Sequence, residues 1–356
     1  MFKAKILEVT MKNKIISIFV ILITVLSLLT SCSYQSSSNK YFDTFSSVSG
    51  YENNKFAFDA MSSKIFAMLE EYHRLFDIYN EYEGINNLCT VNKLFDGEHR
   101  EVKVDRKIID MLLFSKEMYN LTEGRVNIAM GSVLSIWHDY RTEGLKIGGV
   151  AKLPPMDKLT EASEHTDIND LIIDEENSTV YLRDPKMTLD VGAIAKGYAV
   201  EMIAMTLEAE GVTGYAINVG GNVRVIGPKD DGEPWNTAVE NPDVNNYEKP
   251  YIAYLEITNE AVVTSGSYQR YYIVDGVKYH HIIDKNTLMP SKGLLSVTVI
   301  CKSSAMADAL STALFCMTVE EGQSLVNSLE NVEALWVDDD GELYYSDNFD
   351  NYKSNR

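Results

Sequence analysis

The order of helical and strand patterns is the feature that most constrains the fold of this chain. Apolar residues recur at helical spacing over residues 58–76 and 108–119. From residue 215 onward, short runs rich in β-branched and aromatic residues predominate instead. The strict alternation of strands and helices that a doubly wound parallel sheet requires is not present. The pattern therefore predicts an α+β fold, with mixed, largely antiparallel sheets and packed helices.

Short sequence signals place several of these elements. An Asp-Gly dipeptide at 275–276 lies between two β-rich runs and strongly indicates a two-residue hairpin. A second hairpin is predicted around the Asp-Gly pair at 340–341. Two strands are expected over residues 171–182, and helices are expected to end near residues 210 and 317.

The composition restricts the class of partner. The 356 residues carry a formal charge of −20 and are 45% hydrophobic, which is enough for a full-sized core. Nucleic-acid binding requires a basic surface that complements the phosphate backbone. So acidic a chain is therefore not expected to have nucleic acid as its main partner.

The N-terminal segment predicts export. Lys12 and Lys14 precede an apolar run over residues 15–29, and Cys32 follows closely. A basic start, an apolar run and small residues before a cleavage site are typical of a secretory signal peptide. The run is shorter than the roughly 20 apolar residues of a membrane span, although a plain membrane anchor is the alternative. The segment resembles bacterial lipoprotein signals, so residues 1–31 are expected to be removed and Cys32 to carry the lipid.

The segment after the cysteine is predicted to be a tether. Residues 32–41 are rich in serine and poor in apolar side chains, which is typical of a flexible linker. The folded domain is then expected over residues 42–356, lipid-anchored at the extracytoplasmic face of a bacterial cell membrane. Met11 is an alternative start, because the two lysines would then open the signal.

Four segments rich in glycine or hydroxyl residues are candidates for ligand contact. Glycine lets a backbone approach a ligand closely, and a helix N-terminus offers unpaired N–H groups to phosphate. Each segment alone is also typical of an ordinary turn. None matches a Rossmann fingerprint or a P-loop. The segments are residues 190–197, 218–222, 264–267 and 307–312.

Some side chains in these segments suit metal and phosphate binding. Asp308 and Thr312 are four residues apart on a predicted helix and therefore share one face. A carboxylate beside a hydroxyl suits Mg²⁺, which takes one or two carboxylates together with substrate phosphates. The alternative is an aspartate in the first helical turn with an exposed threonine. Lys196 is suited to a phosphate, and His281 is either a ligand contact or the polar face of a strand.

Taken together and in order, five segments closely resemble the FAD:protein FMN transferase (ApbE) family. The resemblance extends from about residue 42 to residue 337, and the intervals between the segments match. It implies an architecture related to the T-fold. The segments are residues 190–198, 218–222, 264–271, 281–284 and 307–312.

The resemblance implies roles for individual residues. Mg²⁺ is expected at the FAD diphosphate, held by Asp308, Thr312 and the main-chain oxygen of Ala193, with Lys196 on a phosphate. The other positions that match FAD contacts of the family are Phe42, Tyr79, Val126, Asn127, Ile128, Asp190, His281 and Ile282.

The chain departs from the family pattern at a few positions. Asn127 stands where the family usually has aspartate, Ala129 where it has threonine, and Phe42 where it commonly has methionine. Residues 285–290 also differ from the usual loop after the histidine segment. These changes concern the adenine side and the loop shape rather than the metal centre.

The function that the resemblance implies is Mg²⁺-dependent transfer of FMN from FAD to a Thr or Ser hydroxyl of an acceptor protein, with release of AMP. Asp308 is the candidate catalytic residue that orients or deprotonates this hydroxyl. The family suggests an acceptor with a Ser/Thr flavinylation motif, such as a respiratory electron-transfer subunit. Two alternatives are a metal-dependent FAD pyrophosphatase and a flavin-binding lipoprotein without catalytic activity.

Overall fold

An antiparallel sheet of eight strands runs through the structure, a computed structural model that describes residues 32–93 and 101–354. Every pair of neighbouring strands in this sheet is antiparallel, which confirms the predicted α+β class. In order across the sheet, the strands are β1 (Cys32–Tyr41), β2 (Thr44–Glu52), β6 (Tyr215–Val219), β7 (Asn222–Ile226), β10 (Ala261–Gly266), β13 (Leu294–Cys301), β14 (Val332–Asp338) and β15 (Leu343–Tyr345).

Smaller sheets surround the large one. The hairpin predicted at 275–276 is confirmed, since Asp275 and Gly276 have φ angles of 49° and 81°, as a tight primed turn requires. The additional strands are β3 (Val102–Lys103), β4 (Leu171–Asp174) and β5 (Thr179–Leu182) in one sheet, β8 (Trp235–Glu240) with β9 (Tyr251–Ile257), and β11 (Tyr271–Val274) with β12 (Val277–His280).

The helices include those predicted at 58–76 and 108–119. Asn54 caps the first of them, because its side chain accepts a hydrogen bond from the Ala57 N–H at 3.0 Å. The helices are α1 (Lys55–Phe76), α2 (Leu88–Lys93), α3 (Arg106–Leu121), α4 (Gly131–Leu145), α5 (Met156–Ser163), α6 (Ala195–Ala209), α7 (Ser304–Phe315) and α8 (Val319–Asn327), with 3₁₀ turns at Ile128–Met130, Ile168–Asp170 and Phe349–Tyr352.

Alternate residues of the large sheet pack against different layers, as the two-residue period of a strand dictates. One face packs on α7 through Val263, Val297, Val299, Ala334 and Trp336. The opposite face packs on the β8–β9 hairpin through Val225, Val262, Ile300 and Leu335. A separate cluster of Trp137, Tyr272 and Ile283 joins α4 to the β11–β12 hairpin. The cavity described below lies among these layers.

The interpretation of residues 32–41 as a flexible tether is wrong. The segment is β1, an edge strand that pairs in antiparallel register with β2 from Cys32 opposite Glu52 onward. Its serines show no apolar alternation in the sequence, but Tyr34, Ser36 and Ser38 are partly buried and alternate with exposed residues. Tyr34 stacks on Phe58 of α1 at 5.5 Å between ring centroids. Backbone pairing with β2, rather than composition, therefore orders this segment.

The predicted signal peptide lies outside the described residues. Within residues 32–93 and 101–354, no helix combines the length and the apolar character needed to cross a membrane. Cys32 is the first described residue, and it is exposed at the beginning of β1.

Candidate active site

One cavity of about 950 Å³ collects segments that are far apart in the sequence. Its wall includes the turn between β1 and β2, the N-terminal end of α6 and one face of α7. All the predicted cofactor and metal positions line this cavity. They are Phe42, Tyr79, Val126, Asn127, Ile128, Asp190, Ala193, Lys196, His281, Ile282, Asp308 and Thr312.

A close contact between α6 and α7 places Asp308. The Gly197 N–H donates to Asp308 Oδ2 at 2.8 Å, and the carboxylate is only 3% exposed. A Cβ on Gly197 would lie 2.4 Å from both Asp308 Cβ and the Ser304 carbonyl oxygen. Only glycine therefore allows the two helices to approach so closely.

Lys196 brings a positive charge to this carboxylate. Its Nζ lies 3.4 Å from Asp308 Oδ1 and 3.3 Å from Oδ2, and it also contacts the Gly192 carbonyl at 3.3 Å. The lysine side chain remains 24% exposed on the cavity side. Its ammonium group is thus available to a phosphate oxygen as well as to Asp308.

Three oxygen atoms that line this part of the cavity are of the kind that binds a hard divalent cation. They are Asp308 Oδ1, Thr312 Oγ1 and the Ala193 carbonyl oxygen. Within the described part of the chain, Lys196 is the hydrogen-bond partner of Asp308 Oδ1. The Gly197 N–H donates to Asp308, so the Ala193 carbonyl four residues earlier does not receive this hydrogen bond. Thr312 Oγ1 lies 3.4 Å from Ser265 Oγ. Among the described residues, no cluster of three or more His, Cys, Asp or Glu side chains is arranged to hold a metal. A single carboxylate with a hydroxyl, a carbonyl and ligand phosphates nevertheless matches the way Mg²⁺ is bound.

A second, cationic corner of the cavity surrounds Asp190. Arg141 and Arg270 both line the cavity, where Arg141 Nη2 lies 3.2 Å from His138 Nδ1 and Arg270 Nη2 donates to the Asp43 carbonyl at 3.3 Å. Burial raises the pKa of Asp190, against the opposing effects of the Gly192 N–H and of His138 and the two arginines. The partly buried Arg141 and the exposed Arg270 make this corner suited to an anionic or electron-rich ligand group.

Comparison with known proteins identifies the family. The family model described as "ApbE family" matches residues 42–336. The chain belongs to the ApbE family. The predicted resemblance is thereby confirmed, and with it the prediction of an enzyme.

Similar proteins of this family cover most of the chain. A protein of Klebsiella pneumoniae named "FAD:protein FMN transferase" is 30% identical over 289 residues, which are 81% of this chain and 85% of that protein. A protein of the same name from Vibrio cholerae is also 30% identical, over 81% of this chain and 83% of its own length. The crystal structure of the ApbE protein of Thermotoga maritima superposes with a TM-score of 0.78 at 26% identity, covering 91% of this chain and all of that one. The flavin transferase ApbE of Vibrio cholerae superposes with a TM-score of 0.73 at 25% identity, covering 90% and 99%.

Asn127, where the resemblance led us to expect aspartate, makes two side-chain hydrogen bonds in the cavity wall. Asn127 Oδ1 accepts a hydrogen bond from the Ala129 N–H at 2.9 Å and so caps the following 3₁₀ turn. Its Nδ2 donates to the Thr166 carbonyl at 2.8 Å, which an aspartate could not do. The Asn127 side-chain amide therefore links the 3₁₀ turn to the segment around Thr166 in the cavity wall.

Phe42, a predicted departure from the family pattern, lies in a tight turn at the cavity. Phe42 and Asp43 have φ angles of 52° and 50°, so the β1–β2 hairpin turns without glycine. The Phe42 N–H donates to His73 Nδ1 at 3.3 Å, and Arg270 Nη2 donates to the Asp43 carbonyl at 3.3 Å. These contacts hold a turn conformation that glycine or asparagine would adopt more readily.

Sequence patterns missed several cavity residues. Arg141 lies on α4, a helix that was not predicted, three residues after His138. Arg270 and Asn222 belong to recognised segments but carried no assigned role. Asn222 is 1% exposed and lines the cavity, and its Nδ2 has no hydrogen-bond partner among the described residues. The i, i+3 spacing of His138 and Arg141 is the one signal that could have indicated a shared helix face.

The environment of His281 predicts a pH dependence of stability. Burial, together with the positive charges of Arg270 and Arg141, lowers the pKa of His281 to about 3. In the unfolded chain the pKa of a histidine is about 6.5, so below that pH the unfolded state gains a proton that the folded state does not. This group is therefore expected to lower the free energy of unfolding as pH decreases from 6.5 towards 3.

The variant His281→Gln isolates this effect. Urea unfolding at pH 7 and at pH 5 is expected to show that the wild type loses about 1–2 kcal/mol more than the variant over this interval. Equal losses in the two proteins would show that the imidazole is protonated in the folded state.

Proposed function

We propose that this protein transfers the FMN part of FAD to a Ser or Thr hydroxyl of an acceptor protein, with Mg²⁺ as the metal and AMP as the second product. The observation that carries this proposal is the buried Asp308 carboxylate, which faces Lys196 and lies beside the Thr312 hydroxyl within one large cavity. The cavity volume is at the upper end of the range for small-molecule and cofactor sites, as a dinucleotide requires. The names of the similar proteins, FAD:protein FMN transferase, support transfer to protein over hydrolysis.

The reaction replaces the phosphoanhydride bond of FAD with a phosphoester bond to the acceptor. The acceptor oxygen forms a bond to the FMN phosphorus, and the phosphoanhydride bond to AMP breaks. The hydroxyl proton passes to the departing AMP phosphate or to solvent. Mg²⁺, when bound by Asp308, Thr312 and the Ala193 carbonyl, supplies charge neutralisation at the phosphates. Lys196 adds a second positive charge where the leaving phosphate becomes more negative.

Asp308 has two distinct oxygens for this task. Oδ2 accepts the Gly197 N–H, which fixes the plane of the carboxylate. Lys196 Nζ lies near both oxygens, and Oδ1, which does not accept the Gly197 N–H, is the atom that would contact the metal or the acceptor hydroxyl. His281, whose pKa is lowered to about 3, stays neutral at physiological pH and would orient groups through hydrogen bonds.

Covalent flavin attachment provides the first test. The protein is incubated with FAD, Mg²⁺ and a candidate acceptor domain, and flavin fluorescence is read from the acceptor band after denaturing electrophoresis. Fluorescence is expected to remain with the acceptor, to disappear with EDTA, and to be absent from an acceptor whose target Ser or Thr is replaced by alanine. Fluorescence that is lost on denaturation would indicate binding without transfer.

Lys196→Gln is expected to slow transfer by about 10²-fold, because a positive charge near the transferring phosphate is lost. The melting temperature should change little, since a partly exposed ion pair contributes about 0–1 kcal/mol. Lys64→Gln, which removes an exposed lysine that pairs with Glu210 away from the cavity, serves as the matched control. Equal rates for the two variants would exclude Lys196 from the reaction.

We further propose that the domain is lipid-anchored through Cys32 at the extracytoplasmic face of the membrane, where the acceptor would be a membrane-associated electron-transfer subunit. The exposure of Cys32 at the beginning of β1 supports access to modification. With β1 directly after the cysteine, the lipid would hold the domain close to the membrane. Cys32→Ser is expected to abolish incorporation of labelled fatty acid and to release the protein from membranes; unchanged labelling would contradict the proposal.

A further inference from the structure

A buried ionic cluster outside the cavity connects α6 to the first turn of α7. Glu201 on α6 and Arg224 on β7 are only 7% and 3% exposed, and Arg224 Nε lies 3.4 Å from Glu201 Oε2. The same glutamate oxygen accepts a hydrogen bond from the Ser304 backbone N–H at 2.6 Å. Arg224 Nη2 also contacts Glu208 Oε1 at 2.7 Å, about two helical turns after Glu201 on α6.

Two contacts with the same spacing set the position of α7 along α6. Gly197 contacts Asp308, and Glu201 contacts Ser304, so residues four apart on one helix meet residues four apart on the other. Residues at this spacing lie on one face, about 6 Å apart along the axis. A shift of α7 that would move Asp308 along α6 must therefore break the bond between Glu201 and Ser304.

Glu201 places its carboxylate at the N-terminus of α7, the end of a helix that a negative charge stabilises. The first N–H groups of a helix have no intrahelical partner, and a negative charge there is favourable. Glu201 accepts the Ser304 N–H, while the Ser304 hydroxyl donates to Asn222 Oδ1. Burial raises the pKa of Glu201, and the adjacent Arg224 and the Ser304 N–H oppose that shift.

Stability alone does not account for this cluster. Replacing a buried ion pair by apolar side chains of similar size is often neutral or stabilising, so such a pair contributes little net free energy of folding. Its specific consequence here is geometric. The N-terminus of the helix that carries Asp308 and Thr312 is held by a group that lines no part of the cavity.

We propose that Glu201 is a positioning residue for the transfer reaction. Through the Ser304 N–H it sets the position of α7, and thereby the places of Asp308 and Thr312 relative to Lys196. This inference rests on the proposed function of Asp308 and extends it to a residue that contacts neither substrate nor metal.

The decisive comparison is Glu201→Met against Glu208→Met. Each variant removes one carboxylate from Arg224, but only Glu201 is bonded to α7. Glu201→Met is expected to lower kcat by about 10-fold to 10²-fold and to raise the Mg²⁺ concentration for half-maximal rate, as a misplaced catalytic group does. Glu208→Met is expected to stay within about 3-fold of the wild type. Equal losses in the two variants would overturn the proposal.

Two further variants separate position from charge and cover a failure to fold. Glu201→Gln keeps an oxygen acceptor for the Ser304 N–H and should retain most of the rate. In Glu201→Met, the buried Arg224 keeps only Glu208 as a carboxylate partner. The double variant Glu201→Met/Arg224→Met also removes this buried charge, so it should fold stably and remain as slow as Glu201→Met. Recovery of the full rate in the double variant would show that Glu201 only neutralises Arg224.

Amide hydrogen exchange tests the inference without reference to activity. The peptide that covers residues 304–308 is expected to exchange faster in Glu201→Met than in the wild type, and unchanged in Glu208→Met. Unchanged exchange in Glu201→Met would overturn the positioning role. Faster exchange in Glu201→Met, together with no flavin transfer by the wild type, would instead overturn the proposed function.

Discussion

Asp308→Ala is expected to abolish Mg²⁺-dependent transfer, with a loss of at least about 10²–10³-fold in rate, because the only carboxylate of the predicted metal site is removed. Asp308→Asn is expected to be almost equally inactive. Its amide oxygen can still accept the Gly197 N–H, but it has no charge to offer a cation. The two variants together therefore separate the charge of Asp308 from its role in packing α7 on α6. The measurement is the initial rate of transfer by each variant over a Mg²⁺ titration.

The control for these variants is Asp59→Asn. Asp59 is an exposed aspartate on α1 that pairs with Lys55 at 2.8 Å, remote from the cavity. The Asp59→Asn variant should transfer flavin at the wild-type rate. Transfer by Asp308→Ala at an undiminished rate and with unchanged Mg²⁺ dependence would contradict the assigned role of this residue.

Gly197→Ala is expected to damage both the fold and the site. The added Cβ would lie 2.4 Å from Asp308 Cβ and from the Ser304 carbonyl, and 2.9 Å from Asn222 Nδ2. Asp308 Cβ and the Ser304 carbonyl belong to buried residues of α7, so α6 and α7 must separate. Overpacking of this kind costs about 1–3 kcal/mol in the free energy of unfolding. Because the displaced residue is Asp308 itself, the transfer rate should fall by about 10²-fold even in the folded fraction.

A second helical glycine provides the matched control for that variant. On α4, a Cβ at Gly144 would meet Ala151 and Tyr272 at no closer than 3.1 Å. Gly144→Ala is therefore expected to remain within about 1 kcal/mol of the wild type, since the gain in helix propensity offsets a mild contact. Denaturant unfolding with parallel activity assays distinguishes the two. A Gly197→Ala protein with wild-type stability and rate would show that the helix contact is looser than the structure indicates.

The predicted elements that are confirmed are those whose own sequence determines them. α1 has apolar residues at helical spacing, and the β11–β12 hairpin has an Asp-Gly turn. The strand at Cys32–Tyr41 was missed because its order comes from β2, a partner with its own weak pattern. Helix α4 was missed because it begins at Gly131 and has no side-chain cap. Both depend on packing that a local pattern does not contain.

The candidate site shows the same division. The spacing of four residues on one helix made Asp308 and Thr312 candidates, and the resemblance to the family gave them the metal role. Their surroundings depend on contacts between distant segments, such as Gly197 with Asp308, which are 111 residues apart. Sequence patterns placed Gly197 in a motif but could not show that it is there to admit α7. Glu201, which is bonded to that helix from outside the cavity, carried no motif signal.

Intact-mass measurement tests the central claim most directly. The protein is incubated with FAD, Mg²⁺ and an acceptor domain, and both the acceptor mass and the nucleotide products are determined. Transfer predicts an acceptor heavier by FMN less one water, with one AMP released per modified acceptor. Release of FMN and AMP in equal amounts from FAD, with the acceptor mass unchanged, would contradict the account and identify the protein as a hydrolase.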